Sequence, residues 1–409
     1  MRVLVLHNRY RRYGGEDAVA ESEVRLLRAN GVEVLHVESD NDVDEHAKLH
    51  GELALAMESH WSKVSYEGVR ALCREFRPDV AHVHNFWLRL TPAVHAACRE
   101  EGVPTVQTLH NFRLFCVNAQ FQRNGHKCED CLGHSPWRGV ALRCYRDSFL
   151  ASAAVARMIM SNRARGTWKK QVSAFIALSR HSRELFIAGG IPPELIHIKP
   201  NFIEDHGTGR VRPSASRRFV FVGRLSPEKG VRELIDAWAR SGVAHGAELA
   251  IAGDGPERER LEAQAARLGI ADRVTFLGHQ THEEVMALVG EARAVVLPSL
   301  FHECFPRVLV EAMSAGRPIL ASSVGALDEL VGADIGVQFP ALDPAALGAA
   351  IRRFHDDPAL ADRLGAGARD AYLARYTPER NFEMLMRIYE CAMGCEWGET
   401  AHAMAGGAA

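Results

Sequence analysis

Short apolar runs alternate with longer amphipathic ones along this chain. "VLVLH" at 3–7 leads into a helical stretch near 16–30 that ends at Gly31, and "VEVLHVE" follows at 32–38; this order predicts a parallel βαβ unit. "PDVAHVHN" at 78–85 and "PTVQTLHN" at 104–111 continue the pattern, each an apolar strand closing on polar residues that include histidine. "FIALS" at 175–179 and "IHIKP" at 196–200 read as further short strands. The stretch "EDHGTGRVRPSASRR" at 204–218 breaks the rhythm with turn-forming and charged residues and marks a domain boundary. Beyond it the rhythm restarts, with strands at 219–223, 248–253, 273–278, 294–298 and 317–322 and helices near 228–240, 256–268 and from Pro306 onward. The expected class is α/β, with two doubly wound domains in tandem.

A length of 409 residues agrees with two domains. We expect an N-terminal domain over 1–203 with an insertion at about 112–170, a C-terminal domain over 204–376, a last helix at about 377–395, and a frayed tail at 396–409. The formal net charge of -2 offers no general attraction to nucleic acid, so no nucleic-acid partner is expected. The first residues hold only a short apolar run, and no segment reaches the roughly 20 apolar residues of a membrane span, so a cytoplasmic protein is expected. Nine cysteines, an odd number, favour reduced thiols or a metal site over a disulfide framework.

Candidate chemistry gathers at strand ends, where open α/β sheets bind ligands. In "HECFPRVLVE" Glu303 and Glu311 stand eight positions apart. Pro306 suits a first helical turn, which leaves Glu303 in the preceding loop and Glu311 in the second turn of a helix that stops at Gly316. Both carboxylates can then flank an anion held by free amides, the arrangement a sugar nucleotide would need. "VGRLSPEKG" places Arg224 and Lys229 after a strand, where two cations would neutralise a diphosphate; solvated surface charge is the bland reading. Gly14 and Gly15 lie between a strand and a helix, where bare backbone can approach a phosphate or simply make a tight turn. "AGDGPE" at 252–257 is a similar turn, with Pro256 in a first helical turn. His110 follows its strand directly and could orient a reacting group. The D-x-D at 40–42 reads as a solvated acidic turn.

Together "HECFPRVLVEAMSAGRPI", "VGRLSPEKGV", "AGDGPE", the N-terminal "GGED" and "TLHNF" make the chain resemble glycosyltransferase family 4, the retaining enzymes of GT-B fold, over nearly its full length. That resemblance implies two Rossmann-like domains facing each other across a cleft, with the last helix crossing back to the first domain. It implies transfer of a sugar from a nucleotide-sugar donor, UDP- or GDP-linked, to a saccharide or lipid-linked acceptor, with retention of configuration and no catalytic metal. By it, Glu311 would bind the donor ribose and Glu303 the donor sugar, with amides at Cys304 and Phe305 meeting sugar and diphosphate. Arg224 and Lys229 would hold the departing diphosphate, Gly14 and Gly15 would line it from the facing domain, and His110 would sit beside the reacting carbon. Polysaccharide or glycolipid assembly is the expected setting. A sugar-nucleotide epimerase on the same fold and a non-enzymatic, zinc-stabilised binding protein are the alternatives.

The insertion adds Cys116, Cys128, Cys131 and Cys144 in a C-x11-C-x2-C-x12-C array, a spacing that can close a structural Zn²⁺ site or belong to four reduced thiols. From Arg138 to Lys170 eight Arg or Lys face one acid, Asp147. Such a segment can rest on anionic lipid at the inner face of the plasma membrane, or pack an apolar stripe into its domain.

Overall fold

A computed structural model describes residues 1–10, 13–39, 58–123, 125–243 and 246–394. The acidic turn at 40–42 and the tail at 396–409 lie outside them. The first sheet contains β1 (Arg2–Asn8), β2 (Glu33–Ser39), β3 (Val80–Asn85), β4 (Thr105–Leu109), β7 (Ala174–Ala177) and β8 (Ile196–Ile198), with a separate hairpin of β5 (Gln122–Arg123) and β6 (His126–Lys127). The second contains β9 (Arg218–Val222), β10 (Glu248–Ala252), β11 (Val274–Gly278), β12 (Ala294–Leu297), β13 (Ile319–Ser322) and β14 (Gly336–Phe339). Both six-stranded sheets are parallel, in the orders β2-β1-β3-β4-β7-β8 and β11-β10-β9-β12-β13-β14. Helices cover both faces, so β3, β4 and β12 are buried along their whole length; β12 reads as a continuous apolar run, whereas β3 and β4 carry buried polar side chains such as His82, His84 and Gln107.

Strand order reverses between β1 and β3 in the first sheet and between β9 and β12 in the second. The loops leaving those strands therefore diverge and open a crevice at each switch point. Gly14–Gly15 follows β1, Arg224–Lys229 follows β9, and Glu303 follows β12.

Some expectations shift. Pro306 is the N-cap residue, in extended conformation, and the helix is Arg307–Ser314. Pro256 precedes the N-cap Glu257 of the helix Arg258–Arg267, so neither proline occupies a first turn. The edge strand β14 and the helices Pro344–Asp356 and Pro358–Arg375 had no expected counterpart. "GVQF" is too short for its period to register, and its place is set by pairing with β13.

The last helix, Pro378–Gly394, buries Asn381, Leu385, Ile388, Tyr389 and Ala392, a stripe at helical spacing. That stripe lies on β3, β4, β7 and the helix Gly15–Ala29. A buried charge network fastens it there. Lys199, just beyond β8, donates from Nζ to Glu23 Oε2 at 2.6 Å and to Asn381 Oδ1 at 3.0 Å. Glu23 Oε1 lies 3.0 Å from His82 Nδ1, and the Tyr389 hydroxyl lies 2.7 Å from that same nitrogen. Burial by itself would raise the Glu23 carboxyl, but the Lys199 ammonium and His82 outweigh it and hold the group well below the usual carboxylate range.

Lys199→Met should cost about 3–5 kcal/mol in chemical denaturation, because it strands a buried carboxylate. Glu23→Gln combined with Lys199→Met should recover much of that loss. The depressed Glu23 pKa stabilises the fold above the unfolded carboxylate range; the contribution should fade as pH falls through that range toward the folded value, and the double variant should lack that fading. A Lys199→Met protein as stable as the parent at neutral pH would contradict the network's role.

Candidate functional site

The loop after β12 begins at Pro298 and ends at the N-cap Pro306. Within it Glu303, only 8% exposed, accepts from Ser299 Oγ at 2.8 Å and pairs through Oε1 with Lys229 Nζ at 2.5 Å. The Lys229 ammonium also lies 5.1 Å from the centre of the Phe301 ring. Two sequence-distant candidates thus meet as one ion pair. The loops must come close for this to happen: the Leu300 amide donates to the Glu228 carbonyl at 2.8 Å. Gly230, at φ 69°, backs directly onto the Pro298 carbonyl, where a Cβ would overlap it.

Glu311 is buried one turn into the following helix. Its Oε1 lies 3.3 Å from Arg307 Nε and 3.5 Å from His282 Nδ1, so the carboxylate is braced by two basic groups. Arg224 is exposed at the mouth of the β9 loop. The turn in "AGDGPE" has a structural basis: Gly253, at φ 135°, presses on the Gly223 carbonyl. Cys304 and Phe305 are buried, and the Phe305 ring packs against Tyr376 at 5.8 Å.

In the first domain, the Gly14–Gly15 turn opens the helix Gly15–Ala29. The Gly14 amide donates to Asp17 Oδ2 at 2.8 Å, and Asp17 Oδ1 lies 2.8 Å from His7 Nε2, which holds the start of the helix Gly15–Ala29 against β1. Burial raises the Cys304 thiol well above its ordinary range, and the Glu16 and Glu303 carboxylates add to the rise. Glu16 accepts from the Tyr10 hydroxyl and from Asn111 Nδ2, each at 2.8 Å.

His110 lies at the end of β4, its Nε2 3.0 Å from His84 Nδ1 and its ring stacked on His84 at 5.3 Å. The far nitrogen of His84 is 3.4 Å from Glu23 Oε1. Burial, then the neighbouring His82, pushes His84 down to about 3; burial and His84 push His110 well below its ordinary value. Both rings are therefore neutral near pH 7. With a carboxylate on its Nε2 side, the favoured tautomer of His84 keeps its proton there and accepts from His110 Nε2, leaving His110 Nδ1 as an acceptor. A small niche opens beside this pair, lined by Tyr10, Trp87, Gln107, Asn111 and Arg113.

Sequence reasoning missed several groups that bridge the halves. His181 Nε2 lies 2.7 Å from His302 Nδ1, and His302 Nε2 lies 3.2 Å from Glu129 in the insertion. The Glu329 carboxylate accepts from the Arg180 and His181 amides at 2.8 and 2.7 Å. The proximity of His302 to Glu303 in "HECFP" was the one available signal for this contact.

The four insertion cysteines share a neighbourhood. Burial raises Cys131 to about 11, and Cys116, Cys144 and Cys128 act on it as well. Among the described residues, however, the group with three ligand atoms within 4.8 Å of one another is Glu23, His82 and His84, not these thiols. Lys199 already neutralises that Glu23. The helix Phe149–Arg165 buries Ser152, Val155, Ala156, Met158, Ile159 and Asn162, so along its length the basic segment packs a stripe into the domain.

Residues 13–206 match the family profile described as Glycosyltransferase Family 4, and residues 208–371 match that of Glycosyl transferases group 1. Glycogen synthase of Mycobacterium tuberculosis is 32% identical over 306 residues, which make up 72% of this chain and 64% of that protein's length. Sucrose-phosphate synthase from Thermosynechococcus elongatus superposes with a TM-score of 0.70 at 21% identity, covering 95% of this chain and 98% of that one. The Anabaena protein HepE, crystallised with UDP, superposes with a TM-score of 0.66 at 19% identity, covering 95% of this chain and 100% of that one. Two parallel sheets, each with one switch point, and two consecutive profile matches lead to one conclusion: the chain belongs to the family 4 glycosyltransferases of GT-B fold.

Proposed function

We propose that the protein transfers a glycosyl group from a nucleoside-diphosphate sugar to a saccharide or lipid-linked saccharide acceptor, with retention of anomeric configuration. The observation that carries this reading is the Lys229–Glu303 pair in the loop that leads into the helix bearing Glu311. A diphosphate entering there meets Lys229, Arg224 and the free amides at the start of that helix. Lys229 then exchanges its carboxylate partner for phosphate, which frees Glu303 to accept from sugar hydroxyls. Glu311, held by Arg307 and His282, is the acceptor for ribose hydroxyls.

The bond from the anomeric carbon to the diphosphate oxygen breaks with its electron pair going to that oxygen, and the two cations stabilise the charge that grows there. The acceptor oxygen bonds to the anomeric carbon on the same face, and its proton passes to the departing diphosphate. Neutral His110 supports the carbon side as a hydrogen-bonding group rather than as a charge. UDP in the Anabaena neighbour supports testing UDP-sugars first, with GDP-sugars next.

Release of nucleoside diphosphate that requires an added acceptor tests the reading. Epimerised sugar nucleotide without acceptor would favour the isomerase alternative, and donor binding without turnover would favour a binding protein. Lys229→Ala should lower turnover by about 10²–10³-fold at saturating donor. Glu311→Ala should weaken nucleotide affinity by about 1.5–3 kcal/mol, while Glu303→Ala should reduce turnover more than affinity. Near-parental turnover in Lys229→Ala would sink the assignment of that cation.

The same reading includes a structural zinc held by Cys116, Cys128, Cys131 and Cys144. An ion would draw the four thiols together and pin a stretch whose regular structure is a hairpin of two two-residue strands and a short helix. Metal analysis of protein prepared without chelators should find about one equivalent, lost in Cys128→Ser. A metal-free parent protein would end the idea.

A further inference from the structure

The side chain of His302 belongs to the second domain, yet it sits among residues of the first. Its ring stacks on His181 at 4.8 Å and meets Phe112 edge-on at 6.5 Å. Phe112, buried, is itself packed against Phe121 at 4.8 Å and Phe186 at 5.4 Å, so that wall of the socket is fixed. The third wall is Glu129, half-buried, whose Oε1 lies 3.2 Å from His302 Nε2 and 2.9 Å from Lys127 Nζ. Phe112 and Glu129 both belong to the insertion.

The contacts through His302 have one direction. Burial and then the neighbouring His181 push it down to about 4, so the ring is neutral near pH 7 and carries one N–H. A carboxylate only accepts, which keeps that proton on Nε2 and leaves Nδ1 to accept from His181 Nε2 at 2.7 Å. The backbone behind the ring is confined as well: Gly325, at φ 59°, lies where a Cβ would come within 3.0 Å of the His302 Cα. Gly325 caps the helix Ala326–Leu330, whose Glu329 accepts from the Arg180 and His181 amides. The insertion also reaches the β9 loop, since Gly125 and His126 at its hairpin border a cleft shared with Ser226, Pro227 and Leu300.

We propose that Glu129 and His181 are positioning residues for sugar transfer: by holding His302 from both sides, they let the insertion set where the adjoining Glu303 stands relative to the first domain. The consequence for turnover rests on the sugar-transfer reading, but the seating of the loop is measurable without turnover. Glu303 keeps Ser299 and Lys229, both of its own domain, whether or not His302 is held. Nucleotide binding therefore depends little on the socket, whereas alignment of the bound sugar with groups of the first domain depends on it.

Two measurements on the full-length protein test this. The first is hydrogen–deuterium exchange with no sugar present: Glu129→Ala and His181→Leu should each speed exchange in residues 299–305 about fivefold, whereas Glu129→Gln, which keeps an acceptor for the His302 N–H, should stay within about twofold of the parent. The second uses the UDP- or GDP-sugar that the parent turns over. Glu129→Ala should lower kcat about tenfold while affinity for free UDP or GDP, measured by calorimetry, stays within about twofold. Glu129→Gln should keep most of the parental kcat, and adding Glu129→Ala to His302→Leu should lower kcat no further, because both remove the same contact. Parental exchange or parental kcat in Glu129→Ala, or a Glu129→Gln protein as impaired as Glu129→Ala, would overturn the proposal. With a parent that transfers no sugar, the sugar-transfer reading fails, and this proposal stands or falls on the exchange result alone.

Discussion

One buried carboxylate holds the first half of this molecule and its last helix in a single arrangement. Glu23 is 1% exposed, and a charge so placed requires partners. They come from far apart in the chain: Lys199 beyond β8, His82 and His84 on β3, with Asn381 and Tyr389 of the terminal helix attached through them. Apolar contacts between the terminal helix and the sheet are non-directional and would tolerate sliding. A lysine that must reach both Glu23 and Asn381 does not allow it. The same carboxylate lies 3.4 Å from His84, whose other nitrogen meets His110, so the network that seats the helix extends to the end of β4.

The rest of the site follows from two topological reversals. Each sheet places its divergent loops at one end, and the loops after β7 and β12 meet through His181 and His302 without any local sequence relation. The second sheet supplies most of the charge. Lys229 and Glu303 neutralise each other, while Glu311 is matched by Arg307 and His282. Each carboxylate therefore has a cationic partner before any substrate arrives, which stabilises acidic groups at a nearly dry loop. The His181–His302 contact and the Glu329 cap tie the halves beside that loop, so the position of Glu303 depends on both domains.

Within the insertion, the division between packing and exposure is sharper than its composition suggests. The body of the helix Phe149–Arg165 is inward-facing at helical spacing, and its basic residues are drawn into local contacts: Arg163 donates to the His134 carbonyl at 2.8 Å, and Arg165 stacks 4.3 Å from the Trp61 ring. Trp137, Phe149 and Leu150 stay exposed at the starts of their helices.

The sequence by itself determined the two βα series, the break near 204–218, and the strand-end positions of Glu303, Glu311, Arg224, Lys229 and His110, because apolar runs, turn residues and proline act over a few positions. It also exposed the cysteine spacing. It could not show that Ser299 and Lys229 share one oxygen of Glu303, or that His302 meets His181, since those contacts depend on strand order and on how the two sheets face. Nor could composition separate the packed body of the basic helix from its exposed end. Buried groups such as Glu23 look in sequence like solvated charges on an amphipathic helix; only the tertiary structure, by removing water from around them and supplying a distant lysine, decided that they are structural.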